Sequence, residues 1–333
     1  MTAFPLPVHH TLSGANAPAG ASDAMVRLAV HEAGVSNDRP AVVLCHGFPE
    51  LAYSWRHQLP ALADAGFRAI APDQRGYGDS TIPEDIGDYG LGSLCGDLAD
   101  LLDALEIDRA VFVGHDWGGF VAWAMPVLFP ERCAGVVGVC TPYTPFPTTD
   151  FLRSVFGDDP EKMYMLWFQE PGVAESVLDR DPRLVFEKLT VGGTDPAEIA
   201  ELGMDRGGSS FNPFVDLASL PSVGPKILSD EELDHYASTF ERTGFRGGIN
   251  WYRNIDANST AFPEVGKQRL ELPALMICSE WDPALPPALA AGMHDKCADL
   301  EVHTVGKTGH WVQQEAPEQV NDLLVDWLAR RFG

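Results

Sequence analysis

A chain of 333 residues can bury a large core, and a formal charge of −25 with few lysines presents a negative surface that repels phosphate backbones and anionic lipid heads. Nucleic acid and membrane surfaces are therefore not expected partners, and the acidity itself reads as a solubility device. The opening MTAFPLPVHHTLSG lacks a basic segment followed by a continuous apolar run, and no later window supplies about 18 uncharged apolar residues, so a soluble, unexported, cytoplasmic protein is expected.

In chain order, AMVRLAVHEAG (24–34) alternates apolar and polar residues, as an antiparallel strand near a sheet edge should. AVVLC (41–45), RAIAP (68–72), AVFVG (110–114), GVVGVC (135–140) and PALMICSE (273–280) are short valine-rich runs bounded by turn residues, the pattern of strands buried on both faces. Helical patterns fall between them at 56–65, 93–106 and 118–128, and APEQVNDLLVDWLARRF (316–332) closes the chain as an amphipathic helix with cations in its last turn. This alternation predicts an α/β architecture with a mostly parallel sheet, helices on both faces and sites at the carboxyl ends of the strands.

The alternation stops at Cys140. From Thr141 to about Thr260 the chain carries proline-rich joints (TPYTPFPTTD), helical stretches (PEKMYMLWFQ, DEELDHYASTFERTG) and no valine-rich strand. Its place between two parallel strands predicts a helical lid over the sheet's carboxyl edge rather than an ordinary linker: core at 1–140 and 261–333, lid at 141–260. Six cysteines are scattered without a paired motif, which fits free thiols in a reducing compartment, and no His/Cys spacing points to zinc.

The stretch VFVGHDWGGF (111–120) has the frame of a strand-to-helix elbow, with Gly114, Gly118 and Gly119 around a central Asp116 where serine is usual. Such an elbow calls for an acid and then a histidine downstream. Asp282, in WDPAL after the strand 273–280, and His310, in GKTGHWVQ after the strand-like EVHTV, stand in that order. An oxyanion hole needs the backbone N–H after the elbow residue and another from an early strand-to-helix loop, which nominates Trp117 and Phe48 of CHGFPE (45–50). His46 is expected to stabilise that loop.

A carboxylate with a reference pKa of about 4 is already an anion at neutral pH and suits displacement at a saturated carbon bearing a leaving group or a strained ring. The resulting ester on Asp116 would be hydrolysed by water activated by His310, with Asp282 holding the imidazole. An epoxide leaves as an alkoxide that needs a proton, whereas a halide does not. Tyrosine, with a pKa of about 10, is a suitable weak acid, and Tyr164 and Tyr252 lie in the expected lid.

At these residues the chain resembles the α/β-hydrolase epoxide hydrolases, especially the hydrolase domain of the soluble epoxide hydrolase group. The shared marks are HGFPE, PDQRGYGDS (72–80), GHDWGG, YMLWFQEPGVAE, GFRGGINWYRN and GHW, spread over residues 46–311. The resemblance implies an α/β-hydrolase fold and a cofactor-free opening of an epoxide by water to a vicinal diol. It also implies Asp116 as nucleophile, Asp282 and His310 as its charge partners, and Tyr164 and Tyr252 as paired acids on the epoxide oxygen. Met163, Trp167 and Phe168 are expected to shape the substrate pocket, and Trp167 stands where the group varies its aromatic. No separate N-terminal phosphatase domain is expected. Haloalkane dehalogenases are the alternative, since they share the fold and the aspartate, but they resemble HGNP at the first loop, where this chain has Phe48. The sequence is compatible with a monomer or a homodimer.

Overall fold

The computed structural model describes residues 4–16, 25–35, 38–201, 211–221 and 223–333. Its strands are β1 (Val8–Thr11), β2 (Arg27–Ala33), β3 (Ala41–Cys45), β4 (Ala69–Asp73), β5 (Ala110–His115), β6 (Cys133–Val139), β7 (Leu270–Ser279) and β8 (Cys297–Val305). They form one sheet in the order β1-β2-β4-β3-β5-β6-β7-β8. Pairings are parallel from β4 through to β8, while β2 runs antiparallel to both β1 and β4. The valine-rich runs are the central strands, and every residue of β3, β4 and β5 is buried.

The two-residue period of a strand divides the core into two layers. Val42, Leu44, Val111, Val113, Val137, Leu275 and Ile277 face one side. There they pack with Trp55, Leu59 and Leu62, and with Val320, Leu324 and Trp327 of the closing helix. Val43, Cys45, Phe112, Val136 and Met276 face the other side, with Leu94, Leu98, Val121 and Met125. The flanking helices are α1 (Gln58–Asp64), α2 (Leu91–Ala104) and α3 (Trp117–Leu128). All six cysteines are buried and unpaired.

Between β6 and β7 the chain leaves the sheet for residues 140–269. This insertion contains α4 (Thr149–Phe156), α5 (Tyr164–Trp167), α6 (Glu175–Leu178), α7 (Pro182–Leu189), α8 (Pro196–Glu201), α9 (Asp230–Thr243), α10 (Arg246–Arg253) and α11 (Ile255–Ala261). After β7 come α12 (Met293–Lys296), α13 (Val312–Glu315) and α14 (Pro317–Phe332). The start of α9 is set by a reciprocal cap: Glu232 N–H donates to Ser229 Oγ, and the Ser229 N–H donates to the Glu232 carboxylate.

Two elements differ from the pattern reading. The strand β1 is absent from it because VHHT lies on an exposed edge and carries no apolar alternation. The helix expected over 160–169 is only the single turn α5, because Pro160 opens a separate turn and Met163 is extended, at φ −134° and ψ 114°. Met163 instead bridges to Phe211, drawing the chain into a strand-like contact there.

Candidate active site

The site lies at the carboxyl ends of the parallel strands. Asp116 follows β5, Phe48 follows β3, Asp282 follows β7 and His310 follows β8. Asp116 has φ 50° and ψ −122°, a backbone conformation that L residues rarely adopt, on a tight turn between β5 and α3. The turn is possible because its neighbours are bare: a Cβ on Gly118 would lie 2.1 Å from the Cys45 carbonyl oxygen. The Thr141 hydroxyl donates to the Asp116 carbonyl at 2.8 Å and braces the turn from the end of β6.

Four of the residues chosen from sequence form a chain of contacts. The Phe48 N–H donates to Asp116 Oδ1 at 2.8 Å, and Asp116 Oδ2 lies 3.6 Å from His310 Nε2. His310 Nδ1 donates to Asp282 Oδ2 at 2.9 Å, and Asp282 Oδ1 accepts from the N–H groups of Ala284 and Leu285 at 2.8 and 2.9 Å. Burial pushes the Asp282 carboxyl up, but His310 and the two amides outweigh burial and bring it to about 2. Burial also pushes the His310 imidazole down, yet the carboxylates of Asp282 and Asp116 prevail and hold it well above its ordinary range. Trp117 opens α3, where a backbone N–H has no intrahelical carbonyl to bond.

Tyr164 and Tyr252 come from separate parts of the insertion, and their rings meet at 5.6 Å. Both line a cavity of about 300 Å³ together with Asp116 and His310. Burial, reinforced by the charge of Asp116, raises both phenols above the usual tyrosine range. Both phenols keep their protons at neutral pH and face the same cavity as the Asp116 carboxylate.

The sequence reading also nominates three aromatic or apolar residues for the pocket. Met163, Trp167 and Phe168 do not line the cavity. Phe168 packs behind the tyrosines, 5.5 Å from Tyr164 and 5.0 Å from Tyr252, and Trp167 stacks on Phe214. The wall is built instead by Phe48, Leu189, Val191, Phe211, Phe214 and Trp311, among others. The Trp117 ring lies 5.1 Å from Tyr252 and is likewise behind the wall. His46 is a loop residue as expected, bonding the Gly47 carbonyl through Nδ1 and accepting the Gln74 N–H at Nε2.

Two further residues close to the site carried no sequence signal of their own. Glu50 is buried and binds the Gly47 N–H at 2.8 Å, His115 Nδ1 at 2.7 Å and the Gln313 amide at 2.8 Å. Burial pushes its carboxyl up, but His115 and the Gly47 N–H bring it below its usual range. His115 reaches on through Nε2 to the His310 carbonyl at 2.8 Å, so the loop holding Phe48 and the turn holding His310 are joined beneath the cavity. His115, Cys140 and His310 offer ligand atoms within 4.8 Å of one another, the one such grouping among the described residues. Both nitrogens of His115 and Nδ1 of His310 are already hydrogen-bonded there, so the grouping is accounted for by the network itself.

A parallel sheet with a strained aspartate elbow, a histidine after the last strand and a helical insertion above them defines a hydrolase of the α/β-hydrolase fold. A family model described as alpha/beta hydrolase fold matches residues 40–170. The chain is 43% identical over 312 residues to epoxide hydrolase A of Mycobacterium tuberculosis, covering 91% of this chain and 94% of that one. It is 39% identical over 290 residues to bifunctional epoxide hydrolase 2 of Mus musculus, covering 87% of this chain and 51% of that protein, so it spans about half the length of the mammalian relative. The crystal structure of epoxide hydrolase A from Mycobacterium thermoresistibile superposes with a TM-score of 0.83 at 40% identity, covering 97% of this chain and 98% of that one. The chain belongs to the epoxide hydrolase family.

Proposed function

We propose that this protein adds water to an epoxide to give a vicinal diol through an ester on Asp116, with residues 141–260 as the lid that supplies the acids. The observation that carries this reading is the placement of two protonated phenols in the same cavity as the elbow carboxylate. Asp116 Oδ1 is held by the Phe48 N–H, which leaves Oδ2 to attack the epoxide carbon. As that C–O bond forms, the ring C–O bond breaks, and the oxygen that leaves takes a proton from Tyr164 or Tyr252.

The second step uses the other half of the site. His310 takes a proton from water, which attacks the ester carbonyl, and the oxyanion forms at Oδ1 against the Phe48 N–H, with the Trp117 N–H as second donor. Esterification removes the charge of Asp116, one of the two groups that keep a proton on His310, so the base becomes available only after the first step. Collapse of the intermediate releases the diol, and the two protons of the water end on the new hydroxyl and on the tyrosine that gave one up. The chain's own groups complete this cycle without a cofactor. Six buried free thiols, and the lack among the described residues of any helix long and apolar enough to cross a membrane, support a cytoplasmic setting.

The test is a variant lacking both hydroxyls, Tyr164→Phe with Tyr252→Phe, assayed on styrene oxide and a bromoalkane side by side. Diol formation should fall by about 10²- to 10⁴-fold or more, the range of general acid catalysis. Bromide release by the native protein exceeding its diol formation, or diol formation unchanged in the variant, would move the assignment to halide displacement.

A further inference from the structure

One carboxylate next to the site is left unused by this chemistry. Glu315 ends α13, five residues after His310, and its two oxygens bind different parts of the molecule. Oε2 accepts the N–H of Gly309, the residue before His310, at 2.7 Å. Oε1 accepts the N–H of Gly193, in the insertion just beyond α7, at 2.8 Å. Burial pushes the Glu315 carboxyl up, and the two amides pull it only part of the way back.

The two segments that Glu315 joins also touch directly. A Cβ on Gly193 would lie 2.5 Å from the Gly309 nitrogen and from the Thr308 carbonyl carbon, so only a bare backbone fits against the His310 turn. On the other side of His310, the Trp311 indole N–H donates to the Leu189 carbonyl at 2.7 Å. Leu189 and Val191 are cavity wall. His310 is therefore flanked on one side by a direct bond from Trp311 to the wall and on the other by Gly309, which Glu315 bridges to Gly193, two residues past Val191.

We infer that Glu315 is a positioning residue that ties the 189–193 wall of the pocket to the turn carrying His310, so that seating the wall and placing the base are one event. This rests on the reading of His310 as the base for ester hydrolysis, and it assigns that step a dependence on a residue outside the cavity lining. The first step, attack by Asp116, does not need His310 in position and is not coupled in this way.

Glu315→Gln tests it with little change of shape. Glutamine keeps one carbonyl oxygen but turns an NH2 toward the second N–H donor, so only one of the two segments stays bound. Because displacement of a reacting group by about 1 Å costs about 10²-fold, ester hydrolysis in single turnover should slow by about tenfold to a hundredfold. Formation of the ester should stay near its native rate, and the alkylated enzyme should accumulate by mass. Equal slowing of both steps, or no slowing, would overturn the inference. Amide hydrogen exchange supplies an arm that does not depend on the ester. In Glu315→Ala, which removes both oxygens, exchange should quicken at both Gly193 and Gly309, and quickening at one alone, or at neither, would show that the wall is not tied through Glu315. A His310→Gln protein run in parallel separates the two ideas, since failure of that protein to trap an ester speaks against the covalent reading itself.

Discussion

Tyr252 and Tyr164 meet over the same carboxylate, but they are held in different ways. Tyr252 stands on α10, which is fastened to the core. Its Gly247 packs on the Gly76 backbone so closely that a Cβ there would lie 2.1 Å from the Gly76 carbonyl oxygen. The Trp251 indole donates to the Arg75 carbonyl at 3.1 Å, and Asn254 donates to the Ile86 carbonyl at 2.7 Å. Arg75 is itself clamped by a buried two-pronged pair with Asp97, at 2.6 and 2.7 Å. Tyr164, on the one-turn α5, is held by backbone bonds between Lys162, Tyr164 and Phe211, within the wall of the pocket. Both phenols line the cavity, but one is seated on the scaffold and the other on the pocket wall itself.

That difference sorts the effects of mutation. Gly247→Ala should be the most damaging change, because the added methyl meets backbone rather than a side chain that can yield. We expect a loss of about 1–3 kcal/mol in stability, read from denaturant unfolding, and a fall in kcat of tenfold or more as Tyr252 is displaced (order of magnitude ~10). Phe211→Ala should act differently: its ring lies 5.8 Å from Tyr164 and lines the cavity, so KM and the preference among epoxides should shift several-fold while kcat changes less. If Gly247→Ala changed KM alone, or Phe211→Ala reduced kcat alone, the contrast between the two seats would be lost.

The triad belongs with the scaffold, and its smallest signature is in acid. Because the Asp282 carboxyl is held at about 2 in the folded protein, against an ordinary value near 4, the unfolded chain binds more protons as pH falls between them. The carboxylate therefore contributes stability that is complete above about pH 4 and is lost as pH falls to about 2, on the order of 2 kcal/mol. Asp282→Asn should flatten that part of the stability profile, and an unchanged slope would contradict the pairing with His310.

The contrast also explains what was legible from residues alone. Strands β3 to β7 were readable because burial on both faces demands unbroken apolar runs, whereas β1 on an exposed edge makes no such demand. Asp116, Asp282 and His310 were readable because an elbow and two post-strand loops hold them in a fixed chain order. The wall was not, because Leu189, Val191 and Phe211 enter it from loops and short helices whose path no periodicity describes. Met163, Trp167 and Phe168 were chosen for their nearness in sequence to Tyr164. In the fold, Phe168 packs against that residue from behind, and Trp167 stacks on Phe214. Glu50, His115 and Glu315 escaped because their partners lie far along the chain, and a buried carboxylate looks like any other until the fold brings its donors together.

The most direct test of the ester on Asp116 is a single turnover of the native protein in water enriched in heavy oxygen, followed by mass analysis of the diol and of the peptide containing residue 116. The heavy oxygen should appear in the Asp116 carboxylate, with the first diol released carrying none. Heavy oxygen in that first diol, with the peptide unlabelled, would mean that water attacks the epoxide directly.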